Sequence, residues 1–303
     1  MPFSSTDDVA ARLASVGYIA DVAIATTVFL AEKLERPILV EGPAGVGKTE
    51  LSRALATTLG TELVRLQCYE GLDESKALYE WEYPKQLLYS QLLRDRIGAT
   101  IADAPTLRDA VDRLAQEDDA FFSEAFLLPR PLLRALRAPR RVVLLIDEVD
   151  RADAEFEAFL LEVLADFQVT VPELGTLTAI ERPLVILTSN HVRELSDALR
   201  RRCLHLHIDY PSRERELAIV RARLPNIDEQ LATRVVEIVQ KLRDRDLKKK
   251  PSVAETIDWL RALVALGGDA EASASARALA DTLGAVVKFA GDRDEAVRVL
   301  AEK

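Results

Sequence analysis

Gly42-Pro43-Ala44-Gly45-Val46-Gly47-Lys48-Thr49 sets three glycines, a lysine and a hydroxyl at the spacing G-x-x-x-x-G-K-[ST]. That spacing suits a polyphosphate. Glycines let successive backbone N–H groups turn inward without a Cβ clash and form a nest for an anion. A helix starting near Lys48 aims the positive end of its dipole at the same point. Lys48 is then the group for the β- and γ-phosphates and Thr49 the hydroxyl for Mg²⁺. Glu50 completes the residues expected around a bound ATP. A glycine-rich turn with a solvated lysine is the plainer reading. The context opposes it, since an apolar run precedes the loop and helical spacing follows.

Val142-Val-Leu-Leu-Ile-Asp147-Glu148 is an apolar run that ends in two acids. Carboxylates at the end of a buried strand are costly unless paired or metal-bound. Beside a phosphate loop, Asp147 is expected to hold Mg²⁺, directly or through water. Glu148 is expected to polarise the attacking water as general base. An acid at the second place favours hydrolysis over transfer to another substrate. The alternative is that both acids only cap the next helix, and for Asp150 and Asp153 capping is the favoured reading. Another apolar run, residues 184–188, leads into Ser189-Asn190. An amide beyond a buried parallel strand sits on the ligand edge of a sheet. There Asn190 can orient the water or contact the γ-phosphate.

These groups need a scaffold. Residues 8–35 read as one helix, with Asp7 and Asp8 at its start and Arg36-Pro37 at its end. Residues 37–41, 62–67, 141–146, 183–188 and the alternating 203–208 read as strands. Helical spacing covers 48–59, stopping at Gly60, and 154–167, with further helices over 85–97, 106–117 and 131–137. Strands separated by helices predict βαβ units and a parallel sheet, an α/β fold. After Pro211 only helical periodicity remains, over 212–224, 228–243, 252–266, 272–289 and 292–301. A boundary near 211 divides a nucleotide-binding domain, 1–211, from an all-helical one, 212–303.

The 303 residues carry 40 basic and 50 acidic side chains, a formal charge of −10. That balance disfavours nucleic acid as the main partner, because such binding relies on phosphate neutralisation. Cys68 and Cys203 are too few for a disulfide scaffold and fit a reduced cytoplasm. The first residues show no basic n-region or apolar h-region. No uncharged apolar run nears the ~20 residues of a membrane span.

Ala198-Leu-Arg200-Arg201-Arg202-Cys203 puts three arginines before the last strand. Alone the cluster reads as solvated surface. In the order phosphate loop, Asp147-Glu148, Asn190, arginines, helical tail, the chain resembles the AAA+ ATPases over essentially its whole length, and more narrowly the MoxR group. Leu66-Gln-Cys-Tyr-Glu-Gly71, residues 144–167 and Gln168-Val-Thr-Val-Pro-Glu-Leu-Gly175 resemble the carbon monoxide dehydrogenase accessory (CoxD-like) branch. The resemblance implies a P-loop core with a helical lid, and a ring of the chain with itself, usually a hexamer. It implies that Arg202, with Arg201 as second choice, reaches a neighbour's γ-phosphate. It also implies a von Willebrand factor A domain partner and a client metalloenzyme. Rival readings are a nucleic-acid motor or loader on the same ATPase, and a scaffold that binds ATP with little turnover.

One departure stands out. Such lids carry a sensor-2 arginine at the start of a helix, and in Pro251-Ser-Val-Ala-Glu-Thr256 the place is taken by Ala254. Lys248 to Lys250 could substitute, although a solvated loop is the simpler reading. Leu78-Tyr79-Glu80-Trp81-Glu82-Tyr83-Pro84 would put Tyr79, Trp81 and Tyr83 on one face if extended. It resembles the pore-facing helix-2 insert, with a packed cluster as the alternative. Residues 168–182 read as a β-hairpin with Gly175 near its turn, resembling a presensor-1 hairpin. Cys203, His205 and His207 alternate on one strand, but no further Cys/His cluster supports a metal there.

Overall fold

The computed structural model describes residues 3–92, 126–171, 174–267 and 275–302, together with Thr106. Five apolar runs become β1 (Ile38–Glu41), β2 (Leu63–Gln67), β5 (Val143–Asp147), β8 (Leu184–Ser189) and β9 (Leu204–His207). They form one sheet in the order β2-β5-β8-β1-β9, and every pairing is parallel. Two antiparallel ribbons lie outside it. One pairs β3 (Tyr79–Trp81) with β4 (Leu127–Pro129), the other β6 (Gln168–Val171) with β7 (Gly175–Thr178).

The central strands β1, β5 and β8 are buried along their whole length, as a sheet covered on both faces requires. On one face Leu66, Leu144 and Ile146 pack against Leu133 of the helix Pro131–Leu136 and against Phe156 and Leu160 of the helix Ala154–Asp166. On the other, Val40, Leu145 and Ile186 pack with residues of the helices Thr6–Ser15, Val22–Leu34 and Lys48–Leu59. Beyond Pro211 the described elements are helical and share a separate core around Trp259. The Trp259 indole N–H donates to Thr282 Oγ1 at 2.8 Å, so its one polar atom is not orphaned.

Because the five strands run the same way, Glu41, Gln67, Asp147 and Ser189 all end on one edge. The segments leaving them converge there.

Several expectations change. The helix expected over 8–35 is two, Thr6–Ser15 and Val22–Leu34, broken where Gly17 adopts φ of 81°. The expected 272–289 helix is shorter, Ala276–Asp281, followed by the 3₁₀ turn Leu283–Ala285. The helix expected over 85–97 is described as Tyr83–Leu92, while 93–97 and nearly all of 106–117 lie outside the described residues. Tyr83 starts that helix and is exposed, so it does not share a strand face with Tyr79 and Trp81. Those two are half-buried on the core in an edge-to-face pair at 5.9 Å. Hairpin 168–182 forms as β6 and β7, with residues 172–173 outside the described set.

Candidate nucleotide site

The loop 42–47 leaves β1 and enters the helix Lys48–Leu59. Gly47 is the N-cap and supplies no side chain, so the first-turn N–H groups stay open to an anion. Two glycines are required by close approach as well as by φ. At Gly42 a Cβ would fall on the Ile208 carbonyl oxygen, and at Gly45 it would stand 2.5 Å from Ser252 Cβ. Ser252 belongs to the helical C-terminal region, which therefore rests directly on the loop.

Lys48 Nζ donates to the carbonyls of Gly42 and Pro43, each at 2.6 Å, and to Asn190 Oδ1 at 2.7 Å. Burial pulls its pKa down, opposed by the nearby carboxylates of Asp150, Asp147 and Glu148. Thr49 Oγ1 donates to Asp147 Oδ1 at 3.1 Å, and Thr188 Oγ1 donates to the same oxygen at 2.6 Å. Asp147 is 3% exposed. Its other oxygen takes Arg65, with Nη2 at 2.6 Å and Nε at 3.1 Å.

Glu148 adopts φ of 55°, and its N–H donates to Thr188 Oγ1 at 2.9 Å. Three groups hold its carboxylate. Gln67 Nε2 is 3.1 Å away, Asn190 Nδ2 3.3 Å and Arg151 Nε 2.9 Å. The expected Lys48, Thr49, Asp147, Glu148 and Asn190 thus meet in one cleft of about 370 Å³, which Ala44, Gly45 and Gly47 also line. Open helix donors and a glycine cradle fit a polyphosphate. The Thr49 hydroxyl and Asp147 carboxylate are hard oxygen donors of the kind Mg²⁺ takes.

A second pocket of about 280 Å³ adjoins the loop. Tyr18, Ile19, Val46, Ile219, Val253 and Ile257 give it apolar walls, suited to a flat base. The break between the first two helices supplies Tyr18 and Ile19.

Residues 38–211 match the profile described as ATPase family associated with various cellular activities (AAA). The chain belongs to the AAA family of ATPases. It is 30% identical over 158 residues to the chaperone protein ClpB 2 of Parasynechococcus marenigrum, covering 51% of this chain and 14% of that protein. It is 30% identical over 183 residues to the peroxisomal Lon protease homolog 2 of Pichia angusta, covering 57% of this chain and 15% of that one. An uncharacterized protein of Staphylococcus epidermidis is 22% identical over 270 residues, covering 87% of this chain and 88% of its own length. The chain thus spans only a small part of the chaperone and the protease.

Not every expected residue of this AAA chain joins the cleft as foreseen. Glu50 lines both pockets, but its carboxylate pairs with Arg223 of the C-terminal region. Arg200 is turned inward. Its guanidinium meets buried Glu41 at 2.9 and 3.2 Å, and His205 meets the same carboxylate. Arg201 and Arg202 are exposed, and their side chains have no hydrogen-bond or ion-pair partner among the described residues. Their carbonyls accept from Arg36, which precedes β1. Both arginines therefore stand at the end of β1 away from the chain's own phosphate loop.

Ala254 does line the phosphate cleft, together with Arg53. The lysine run does not reach it. Lys249 lies 3.5 Å from Glu255, and Lys248 sits 4.0 Å from the Phe289 ring centroid. His205 is engaged by Glu41, and no cluster of three His, Cys, Asp or Glu fit for a metal exists among the described residues. No described helix is long and apolar enough to cross a membrane.

Sequence reasoning missed Arg65, Gln67, Thr188 and Arg151. A signal existed for the first two, which alternate onto one side of β2 at its ligand edge. Asp153 caps the helix Ala154–Asp166 through the Phe156 N–H, but Asp150 does not cap. Its carboxylate is taken by the loop after β8.

Proposed function

We propose that this chain hydrolyses ATP and uses the cycle to remodel a partner protein. The observation that carries the reading is the placement of Glu148, held by Gln67, Asn190 and Arg151 in the cleft that contains Lys48 and Thr49. A carboxylate fixed from three sides is oriented for one task, taking a proton from a water that attacks the γ-phosphate. In this reading residues 1–211 form the nucleotide-binding domain and 212–303 the lid. Loop residues 42–47 and Lys48 hold the triphosphate, and the adjoining apolar pocket takes the base. Thr49 and Asp147 hold Mg²⁺, which when bound neutralises charge on the phosphates. Arg65 must first release Asp147. Asn190 aligns the water or the γ-phosphate.

Arg202, with Arg201 as second choice, serves a neighbouring subunit in a ring of about six, where its guanidinium stabilises transition-state charge. Their exposure and their distance from the chain's own loop support delivery in trans. The motif resemblance supports a MoxR-type ATPase of the reduced cytoplasm that works with a von Willebrand factor A domain protein. The CoxD-like segments point to maturation of a molybdenum-containing carbon monoxide dehydrogenase-type client. That last step is analogy from family to task.

Glu148→Gln tests the reading. Turnover should fall about 10²–10⁴-fold, the scale of general base catalysis, while ATP stays bound and the client co-purifies. Unchanged turnover would refute the assignment of Glu148. Turnover stimulated by DNA, with a steep loss in salt, would instead favour the nucleic-acid motor.

A further inference from the structure

Asp150 lies in the 3₁₀ turn Val149–Arg151, two residues past Glu148, and is 2% exposed. Its Oδ2 accepts the N–H of Asn190 at 3.0 Å and the N–H of Val192 at 2.8 Å. Between these donors stands His191, with φ of 59°, a left-handed conformation that non-glycine side chains disfavour. Two N–H groups converging on one carboxylate oxygen hold that turn closed. The other Asp150 oxygen is buried with no hydrogen-bond partner, so every hydrogen bond this carboxylate accepts among the described residues comes from the turn.

The turn has a functional passenger. Asn190 leaves it with Oδ1 on Lys48 at 2.7 Å and Nδ2 on Glu148 at 3.3 Å. The far end of the same loop is fastened separately. Buried Glu157 accepts the Ser196 N–H at 2.6 Å and pairs with Arg193 at 2.9 Å. The hydrogen bonds of Asp150 therefore hold residues 190–192 and not the far end of the loop.

We propose that Asp150 is a positioning residue for hydrolysis, closing the 190–192 turn so that the Asn190 amide spans Lys48 and Glu148 and fixes the direction of the Glu148 carboxylate. This rests on the reading of Asn190 and Glu148 given above. Without Asp150, His191 relaxes from the left-handed region, Asn190 swings away and Glu148 loses one of its three holds. Binding of ATP depends chiefly on the loop and Lys48, so the loss falls on kcat.

The test compares Asp150→Ala, Asn190→Ala and the double variant in the full chain, measuring kcat, KM and the dissociation constant of a fluorescent ATP analogue. Each single change lowers kcat by about ten- to a hundredfold, the scale of a small misplacement of a reacting group. The double variant falls no further than the worse single, and nucleotide affinity stays within about threefold of the parent, since residues acting as one unit are non-additive. Losses that multiply in the double variant would overturn the proposal while leaving the Asn190 reading intact. An unchanged kcat in Asn190→Ala would instead overturn the Asn190 reading, and the proposal with it. Asp150→Asn keeps an oxygen for both N–H groups and should fold with kcat within about threefold of the parent, because the acceptor is retained. A folded Asp150→Asn as slow as Asn190→Ala would place the role in the charge and also overturn the proposal.

Discussion

Breaking the ion pair between Glu216 and Arg243 should cost far more than an ordinary charge deletion. Glu216 is 0% exposed and Arg243 5%. Two guanidinium nitrogens meet the two carboxylate oxygens at 2.6 and 2.7 Å. Gln240 Nε2 and Thr256 Oγ1 also donate to Glu216, each at 2.7 Å. Arg243→Met leaves that carboxylate buried with two neutral donors and no counter-charge. Removing one partner of such a pair destabilises by about 3–5 kcal/mol. At roughly 2–4 °C per kcal/mol for a chain of this size class, the midpoint should fall by about 6–20 °C. Glu216→Leu with Arg243→Met should behave differently. Gln240 keeps the Pro211 carbonyl and Thr256 keeps the Ser252 carbonyl, so no donor is orphaned. Apolar replacement of a whole buried pair is often neutral or stabilising. Thermal and urea unfolding of Arg243→Met, Glu216→Leu and the double variant decide the matter. A single variant within about 1 kcal/mol of the parent, well below the buried-pair range, would refute the reasoning. So would a double variant as unstable as either single. The pair also supports the site, because Arg243 Nε donates to the Pro251 carbonyl at 2.8 Å, next to the segment that meets the phosphate loop. Arg243→Met should therefore weaken ATP binding before global unfolding.

Lys48→Ala should weaken ATP binding by about 10- to 150-fold, the worth of a charge-assisted hydrogen bond, measured with a fluorescent ATP analogue. Equal affinity would remove Lys48 from the phosphate site. Gln67→Ala frees one hold on Glu148 and should lower kcat by about tenfold with little change in KM; a pure KM effect would contradict that role. Arg65→Gln removes the cation that holds Asp147, so half-maximal activity should need less Mg²⁺, and a higher requirement would show that Arg65 helps the metal instead. Burial pushes the thiols of Cys68 and Cys203 up to about 12. A raised pKa keeps the thiol neutral below it, so at pH 8 only roughly 10⁻⁴ of each is thiolate. Native protein should resist a disulfide reagent at pH 8 until it unfolds, and rapid labelling of the native state would contradict the burial.

The nucleotide loop was legible in the sequence because its chemistry is local. Backbone nest, lysine and hydroxyl occupy consecutive positions, and β1 and β5 announce themselves as continuous apolar runs. The helix break at Gly17 was hidden, since one glycine within apolar periodicity reads as tolerated. The alternation of Arg65 and Gln67 is visible in the sequence, but their partners depend on strand order. Gln67 stands beside Asp147 only because β2 pairs with β5. Asp150 looked like a cap for a related reason. An acid just before a helix has a local explanation, and the real one arrives from β8, some 40 residues downstream in the chain. The role of Arg201 and Arg202 is not legible from one chain, in which both are exposed with no side-chain partner among the described residues.

The contact between Gly45 and Ser252 has a mechanical meaning. No side chain can be inserted there, so no slack separates the cradle from the helices behind it. Displacing either one pushes the other by steric repulsion, which needs no counter-ion and is not weakened by salt as exposed charge pairs are. Touching surfaces therefore pass a displacement between cradle and helices with no charged group in between.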